Sequence, residues 1–204
     1  MGIYAEQVLP RCLDVVMGLG TFRSLRQHAT EGLAGRVLEL GFGSGLNLEW
    51  YPKEVVEVLA LEPSAVAQRL ARRRLERAPI PVRFVGLSGE HLPLPDGSVD
   101  AVLSTWTLCT IPGLERALAE VRRVLRPGGA LHFLEHGLAR DEPTRAWQRR
   151  LTPLQRKLVG GCHLDRPIGE LVARSGLEIE QMEEFPRPGP KVLAWYYAGR
   201  ARKR

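Results

Sequence analysis

The segment that most restricts the fold is Val37-Leu-Glu-Leu-Gly41-Phe-Gly43-Ser-Gly45-Leu-Asn47, an apolar run of strand character that breaks into a turn of three alternating glycines. At the carboxyl end of a buried strand, such glycines let backbone approach a ligand lying where the strand order reverses. A strand of this kind needs cover on both faces, and the rest of the chain supplies it. Arg36–Leu40, Val55–Leu61, Val82–Leu87, Ser98–Ser104 and Gly129–Glu135 have the length and composition of strands buried on both sides. Between them, Ala65–Arg77 places Val66, Leu70 and Leu75 on a helical period, and Leu114–Leu125 repeats the pattern until Arg126-Pro127-Gly128-Gly129 stops it. Strands alternating with crossover helices predict an α/β fold with a parallel sheet.

The last third reads differently. A basic helix containing Trp147 precedes a Gly160-Gly161 break, a short helix spans Pro167–Ser175, and strands Leu177–Met182 and Val192–Ala198 flank a turn region between Pro186 and Pro190. Residues 1–33, with Val8, Leu9, Leu13, Val16, Met17, Leu19 and Phe22, read as helical cover ahead of the first strand, in position to act as a lid.

The 204 residues are the length of one domain with a full core, a typical domain being about 150 residues. A hydrophobic share of 44% with 25% charged residues excludes a disordered chain, a collagen-like repeat or a disulfide scaffold. No run approaches the ~18 apolar residues of a membrane span, and Arg11 and Asp14 interrupt the N-terminal stretch where an export signal needs apolar continuity. A cytoplasmic location is the expectation. Cys12, Cys109 and Cys162 are widely spaced with no C-x-x-C pair, so neither a disulfide framework nor a metal site is expected. Of 29 basic residues 25 are Arg and 4 Lys. The clusters at Arg72–Arg74, Arg149–Arg150 and Arg200–Arg204 read as solvated helix faces and a frayed tail rather than as a nucleic-acid surface.

The glycine turn narrows the ligand. Leu46 stands where a dinucleotide fingerprint needs its third glycine, and no G-K-[S/T] follows for a phosphate loop. Glu62 ends the second strand run, 21 residues after Gly41, where a carboxylate can accept bonds from two ribose hydroxyls. Glu39 lies within the first strand, and a buried carboxylate there needs a cation or several donors. An unphosphorylated nucleoside with a cationic arm fits this constellation.

The run V-L-E-L-G-F-G-S-G-L-N, the Leu61-Glu62-Pro63 strand end, the S-G-E-H-L-P-L-P-D-G-S-V-D block from Ser88 to Asp100 and R-V-L-R-P-G-G from Arg123 to Gly129 resemble the class I S-adenosylmethionine-dependent methyltransferases of the methyltransferase type 11 group. The likeness covers residues 36–136. Thr107-Leu108-Cys109, Leu134-Glu135-His136 and Gly161-Cys162-His163-Leu164-Asp165-Arg166 further resemble methyltransferase-like proteins that methylate thiols. Those relatives begin with a membrane-anchoring helix; the N-terminal segment here has none of that character, so membrane association is not carried over. The resemblance implies a Rossmann-like, doubly wound, seven-stranded sheet, mostly parallel with an antiparallel last strand. It implies a single methyltransferase domain over residues 1–204, with helical cover at 1–33, a cofactor-binding core at 34–136 and acceptor-side helices and strands at 137–204.

It also implies site residues. Glu39, Gly41, Gly43 and Gly45 would surround the methionine arm of S-adenosylmethionine, Glu62 would bind the ribose, and Pro63 and Ser64 would flank the adenosine. Ser88, Gly89 and Glu90 stand where the family borders the adenine, often with Asp-Ala, so that contact would fall to backbone amides or to Glu90. Thr105 and Trp106 would line the passage to the acceptor, and Tyr4 is a lesser candidate contact. The sulfonium methyl is already electrophilic, so catalysis is mainly alignment and exclusion of water, with a general base where the acceptor is a thiol or phenol. His136 is the first candidate base and His163 the second. Cys109 and Cys162 read as small apolar walls, Asp165-Arg166 as an ion pair at a helix start, and Trp195 to Tyr197 as residues packed within the last strand. The expected partner is a small-molecule acceptor, a thiol first, with a quinone precursor or a phospholipid as the alternative; a non-catalytic S-adenosylmethionine-binding protein is the reading from another class. No nucleic-acid partner is expected.

Overall fold

The computed structural model describes residues 2–204. Strands β1 (Gly35–Leu40), β2 (Val55–Leu61), β3 (Val82–Gly86), β4 (Val99–Thr105), β5 (Leu125–His136), β6 (Glu178–Pro186) and β7 (Trp195–Arg202) form one sheet in the order β3-β2-β1-β4-β5-β7-β6. The pairings β1–β2, β1–β4, β2–β3 and β4–β5 are parallel. Strand β7 runs antiparallel to both β5 and β6, between which it is inserted. The strand order reverses direction between β1 and β4, which places the switch point beside the glycine turn.

Period-two alternation sends successive residues of each strand to opposite faces. Leu38, Leu40, Leu59, Leu61, Val102, Leu131 and Phe133 pack on one face with α4 (Leu114–Val124) and α6 (Ile168–Arg174). Val37, Val58, Ala60, Ala101, Leu103 and Leu134 pack on the other with α2 (Arg23–Thr30) and α3 (Ala65–Leu75). Helix α4 shows how sequence sets this: Leu114, Ala117, Leu118, Val121 and Val124 recur at three- and four-residue spacing and all are buried. Burying each such leucine stabilises the fold by roughly 1.5–3 kcal/mol.

Element ends differ from the sequence expectation where long-range pairing overrides local signals. Strand β5 begins at Leu125 rather than Gly129, because the Arg126–Gly129 turn is absorbed as an irregularity in which the β4 register passes from Val99↔Leu125 to Ala101↔Ala130. The C-terminal arginines are not frayed. Arg200 and Arg202 lie in β7 and pair with Glu180, and Arg204 pairs with Glu178. The N-terminal cover is helical, with α1 (Leu9–Met17) following a π-helical turn at Tyr4–Val8. Asp14 of α1 clasps the glycine turn, accepting from Ser44 Oγ at 2.6 Å and from Arg74 of α3 at 2.8 Å. The remaining helix, α5 (Glu142–Leu158), is the basic helix containing Trp147, and Asp141 caps it by accepting from the Thr144 amide. No described helix is long and apolar enough to cross a membrane.

Candidate active site

Two glycines of the turn have separate steric reasons. Gly41 has φ +66°, and a Cβ there would collide with the Thr107 side chain, so the loop after β4 packs directly on this backbone. Gly43 has φ +58°, and its missing Cβ would meet only Gly41 O at 3.9 Å, so the backbone there borders open space. Gly45 packs under Phe42 and Leu48 and closes the turn.

Glu62 at the end of β2 joins this turn. Its Oε2 accepts from the Gly43 amide at 2.7 Å and its Oε1 from the Ser64 amide at 2.7 Å. Burial raises its pKa, and the two amide bonds oppose only part of that rise. Ser64 spends its hydroxyl as the N-cap of α3, accepting from the Ala67 amide at 3.2 Å. Pro63 is exposed between them.

Glu39 is fully enclosed in β1, and the chain supplies its donors: Asn47 Nδ2 at 2.6 Å and Tyr51 OH at 2.7 Å. Asn47 also donates to Thr105 Oγ1 at 3.0 Å and accepts from the buried guanidinium of Arg26 at 2.7 Å. A cationic ligand is therefore not required to offset Glu39. Its pKa rises to about 7, chiefly because burial disfavours the charge, while the bonds from Tyr51 and Asn47 and the charge of Arg26 oppose the rise. Arg26 extends this network to Trp106, with Cζ 4.8 Å from the ring centroid.

Trp106 follows β4 with φ +52°, and among the described residues no other non-glycine residue has positive φ. Its amide donates to Leu134 O at 2.8 Å, and its ring meets Phe22 and Tyr196 edge-on at 5.4 and 6.3 Å. A bulky residue held in this sparsely populated region needs surroundings that overdetermine it, as is common at ligand sites.

Of the residues expected to border the adenine, Glu90 commits its Oε1 to the Gly113 amide at 2.8 Å, just before α4. Ser88 is exposed and accepts from the Glu90 amide at 3.3 Å, and Gly89 lies close to Ile111. Tyr4 is also committed elsewhere, donating to Leu158 O at 2.9 Å and so tying the N-terminal turn to α5.

At the end of β5, the buried carboxylate of Glu135 accepts from Ser104 Oγ at 2.7 Å and from the amides of Thr107, Leu108 and Cys109 at 3.0, 3.0 and 3.3 Å. Burial raises its pKa against all four bonds. Beside it, His136 Nε2 lies 3.0 Å from Cys162 Sγ, and its Nδ1 is buried with no hydrogen-bond partner among the described residues. Burial works against the imidazolium, but the bond to Cys162 and its charge outweigh that and raise the His136 pKa. The Cys162 thiol is lowered by a hydrogen bond from Cys109, with His136 and Gln155 adding to the effect, while Cys109 is raised by giving that bond and by burial. Cys162 is thus a polar partner of His136, and Cys109 a polar partner of Cys162. His163 sits 3.8 Å from Asp165. Arg166 does not pair with Asp165; it donates to the carbonyls of Leu108 and Ile111 and so ties the same loop.

The fold gathers Gly41, Gly43, Gly45, Glu62 and Ser64 around one turn and links Glu39 to Thr105 through Asn47. Sequence reasoning passed over Asn47, Arg26 and Tyr51 as network members. Asn47 stands at the end of the glycine run itself, whereas nothing local marks Arg26 or Tyr51.

A family model described as a methyltransferase domain matches residues 38–133. The thiol S-methyltransferase TMT1A of Homo sapiens is 32% identical over 197 residues, which is 95% of this chain and 76% of that protein. The phosphatidylethanolamine N-methyltransferase of Cereibacter sphaeroides is 32% identical over 155 residues, or 74% of this chain and 73% of that one. Among solved structures, an S-adenosylmethionine dependent methyltransferase from Mesorhizobium loti superposes with a TM-score of 0.67 at 20% identity, covering 90% of this chain and 98% of that one. The chain belongs to the S-adenosylmethionine-dependent methyltransferases.

Proposed function

We propose that the chain binds S-adenosylmethionine at the β1–β4 switch point and transfers its methyl group to a small thiol. The observation that carries the thiol is the 32% identity to a thiol S-methyltransferase over 95% of the chain, a span that includes the Cys109, His136 and Cys162 corner. The open space at Gly43, with the Glu62 carboxylate bonded to the same turn, fits an uncharged ribose and an extended methionine arm without phosphate. When bound, S-adenosylmethionine supplies a sulfonium methyl that an acceptor sulfur attacks, the electron pair of the broken bond staying on the departing thioether sulfur.

The chain's own residues orient and exclude. Gly41, Gly43 and Gly45 give the methionine arm a backbone wall, and Glu62 keeps lone pairs for the ribose hydroxyls. Pro63, Ser64, Ser88 and Gly89 border the adenosine through backbone, while Glu90 acts indirectly by fixing the start of α4. Thr105 and Trp106 wall the passage to the acceptor. Glu39 positions Asn47 and Thr105 from below. His136, with Nδ1 unpartnered, takes the acceptor proton.

Production of S-adenosylhomocysteine by purified protein across small thiols, phenols, quinone precursors, phospholipids and RNA tests the reading. Turnover with thiols is expected; turnover confined to phospholipids would replace the acceptor with the chemistry of the Cereibacter relative. Gly43→Arg drives a long cation into the turn and abolishes cofactor binding by calorimetry, and unchanged affinity would move the site elsewhere. His136→Ala lowers kcat by on the order of 100-fold with cofactor affinity unchanged, and a wild-type kcat on every accepted thiol would remove the base role.

A further inference from the structure

Cys109, His136 and Cys162 stand 27 and 26 residues apart in sequence, on the loop after β4, at the end of β5 and on the loop after α5. The fold brings one ligand atom of each within 4.8 Å of the others, with both cysteines buried and unbridged. Bond lengths of about 2.3 Å to sulfur and 2.0–2.1 Å to imidazole nitrogen put the ligand atoms of a tetrahedral zinc site roughly 3.5–3.8 Å apart. The 3.0 Å between Cys162 Sγ and His136 Nε2 and the outer limit of 4.8 Å bracket that spacing. The backbones carrying the ligands are fixed: Glu135 accepts the Cys109 amide, Cys109 O accepts the His163 amide at 2.9 Å, and Val159 O accepts the Cys162 amide at 2.9 Å.

We propose that Cys109, His136 and Cys162 form a three-ligand site for a thiophilic divalent cation, with Zn²⁺ the best match to two sulfurs and one imidazole. Binding displaces the thiol protons to solvent and places His136 Nε2 on the cation. Three protein ligands leave the fourth position open, the arrangement of catalytic rather than closed structural zinc centres. An acceptor thiol entering that position would release its proton to solvent and bind as thiolate, so the cation would replace the imidazole as the group that activates it. This last step alone rests on the proposed thiol acceptor; cation uptake does not.

The test uses the full chain, purified in reductant and stripped with chelator, with both buried thiols shown free by mass spectrometry. Titration with Cd²⁺ is read by cadmium–thiolate charge-transfer absorbance and with Co²⁺ by its tetrahedral visible bands. One equivalent per chain is expected, displaced by Zn²⁺ and unaffected in C12S, which alters the exposed cysteine. C109S, C162S and H136A each lose at least the roughly 10–100-fold in affinity that an altered outer shell already costs, with folding of each checked by circular dichroism. Free thiols without a thiolate band in the wild type overturn the proposal whatever the variants do. A band that survives in folded C109S and C162S overturns it too, as does a Cys109–Cys162 disulfide that persists in reductant. Because the readout is cation uptake, a negative acceptor panel leaves this result standing, and a negative titration leaves the panel standing.

Discussion

Glu39 and Glu135 are the same residue in similar settings, each the next-to-last residue of a buried strand and each fully enclosed, yet the chain satisfies them in different ways. Glu39 lies on the α2 and α3 face in step with Val37, and its donors are the side chains of Asn47 and Tyr51. Glu135 lies on the opposite face in step with Phe133, and three of its four donors are consecutive backbone amides, those of Thr107, Leu108 and Cys109. A carboxylate held by side chains belongs to a network whose members can be altered singly. One held by backbone fixes the path of a loop, here the loop that packs on Gly41 and carries Cys109. The difference teaches that one buried acid anchors a side-chain network beneath the glycine turn while the other shapes the loop after β4; on the proposed function these are the cofactor and acceptor sides.

The largest effect expected from breaking this contrast is at Glu135. Glu135→Ala leaves one hydroxyl and three amides without their acceptor and lowers unfolding free energy by about 4 kcal/mol. Urea denaturation measures it, and a loss below about 1 kcal/mol would show that the 107–109 loop holds its shape unaided.

Glu39→Gln comes next, through pH. The folded pKa of Glu39, about 7, lies above its ordinary value of 4.5. The folded state therefore holds this proton more tightly than the unfolded chain, and the group's contribution is fully present below about pH 4.5 and lost as pH rises to about 7. At about 1.36 kcal/mol per unit the loss is on the order of 3 kcal/mol. Stability curves of wild type and Glu39→Gln should lie close together in acid and separate as pH rises toward 7, the wild type falling relative to the uncharged variant. Parallel curves across that window would mean that Glu39 stays ionised throughout.

Tyr51→Phe is the finest probe. It removes one donor and destabilises by about 1 kcal/mol. Because that bond lowers the Glu39 pKa, its loss moves the Glu39 transition to higher pH. A midpoint that stays put would shift the weight to Asn47 and Arg26.

Much of the proposed cofactor side was legible because it is nearly contiguous. Gly41, Gly43, Gly45 and Asn47 lie within seven residues, and Glu62 follows at the end of the next strand. Strand and helix positions were legible for a related reason, since apolar runs and helical periods are local statistics. The ends of β5 and β7 were not, because a ladder extends as far as its partner offers hydrogen bonds, and that is a property of pairing rather than of propensity. Glu39 shows the limit most directly: its position in a buried strand was readable, but whether a ligand or the chain would satisfy it depended on Tyr51 and Arg26, neither of which carries a local signal.

By itself the sequence determined the class of fold, the glycine turn and the acid that answers it, because each follows from backbone sterics and short-range spacing. Tertiary structure alone decided that Cys109, His136 and Cys162 share one corner and that Arg166 serves a loop rather than Asp165. Residues 26 or more apart meet only when strand order and loop path are fixed, and the packing of two sheet faces sets that path.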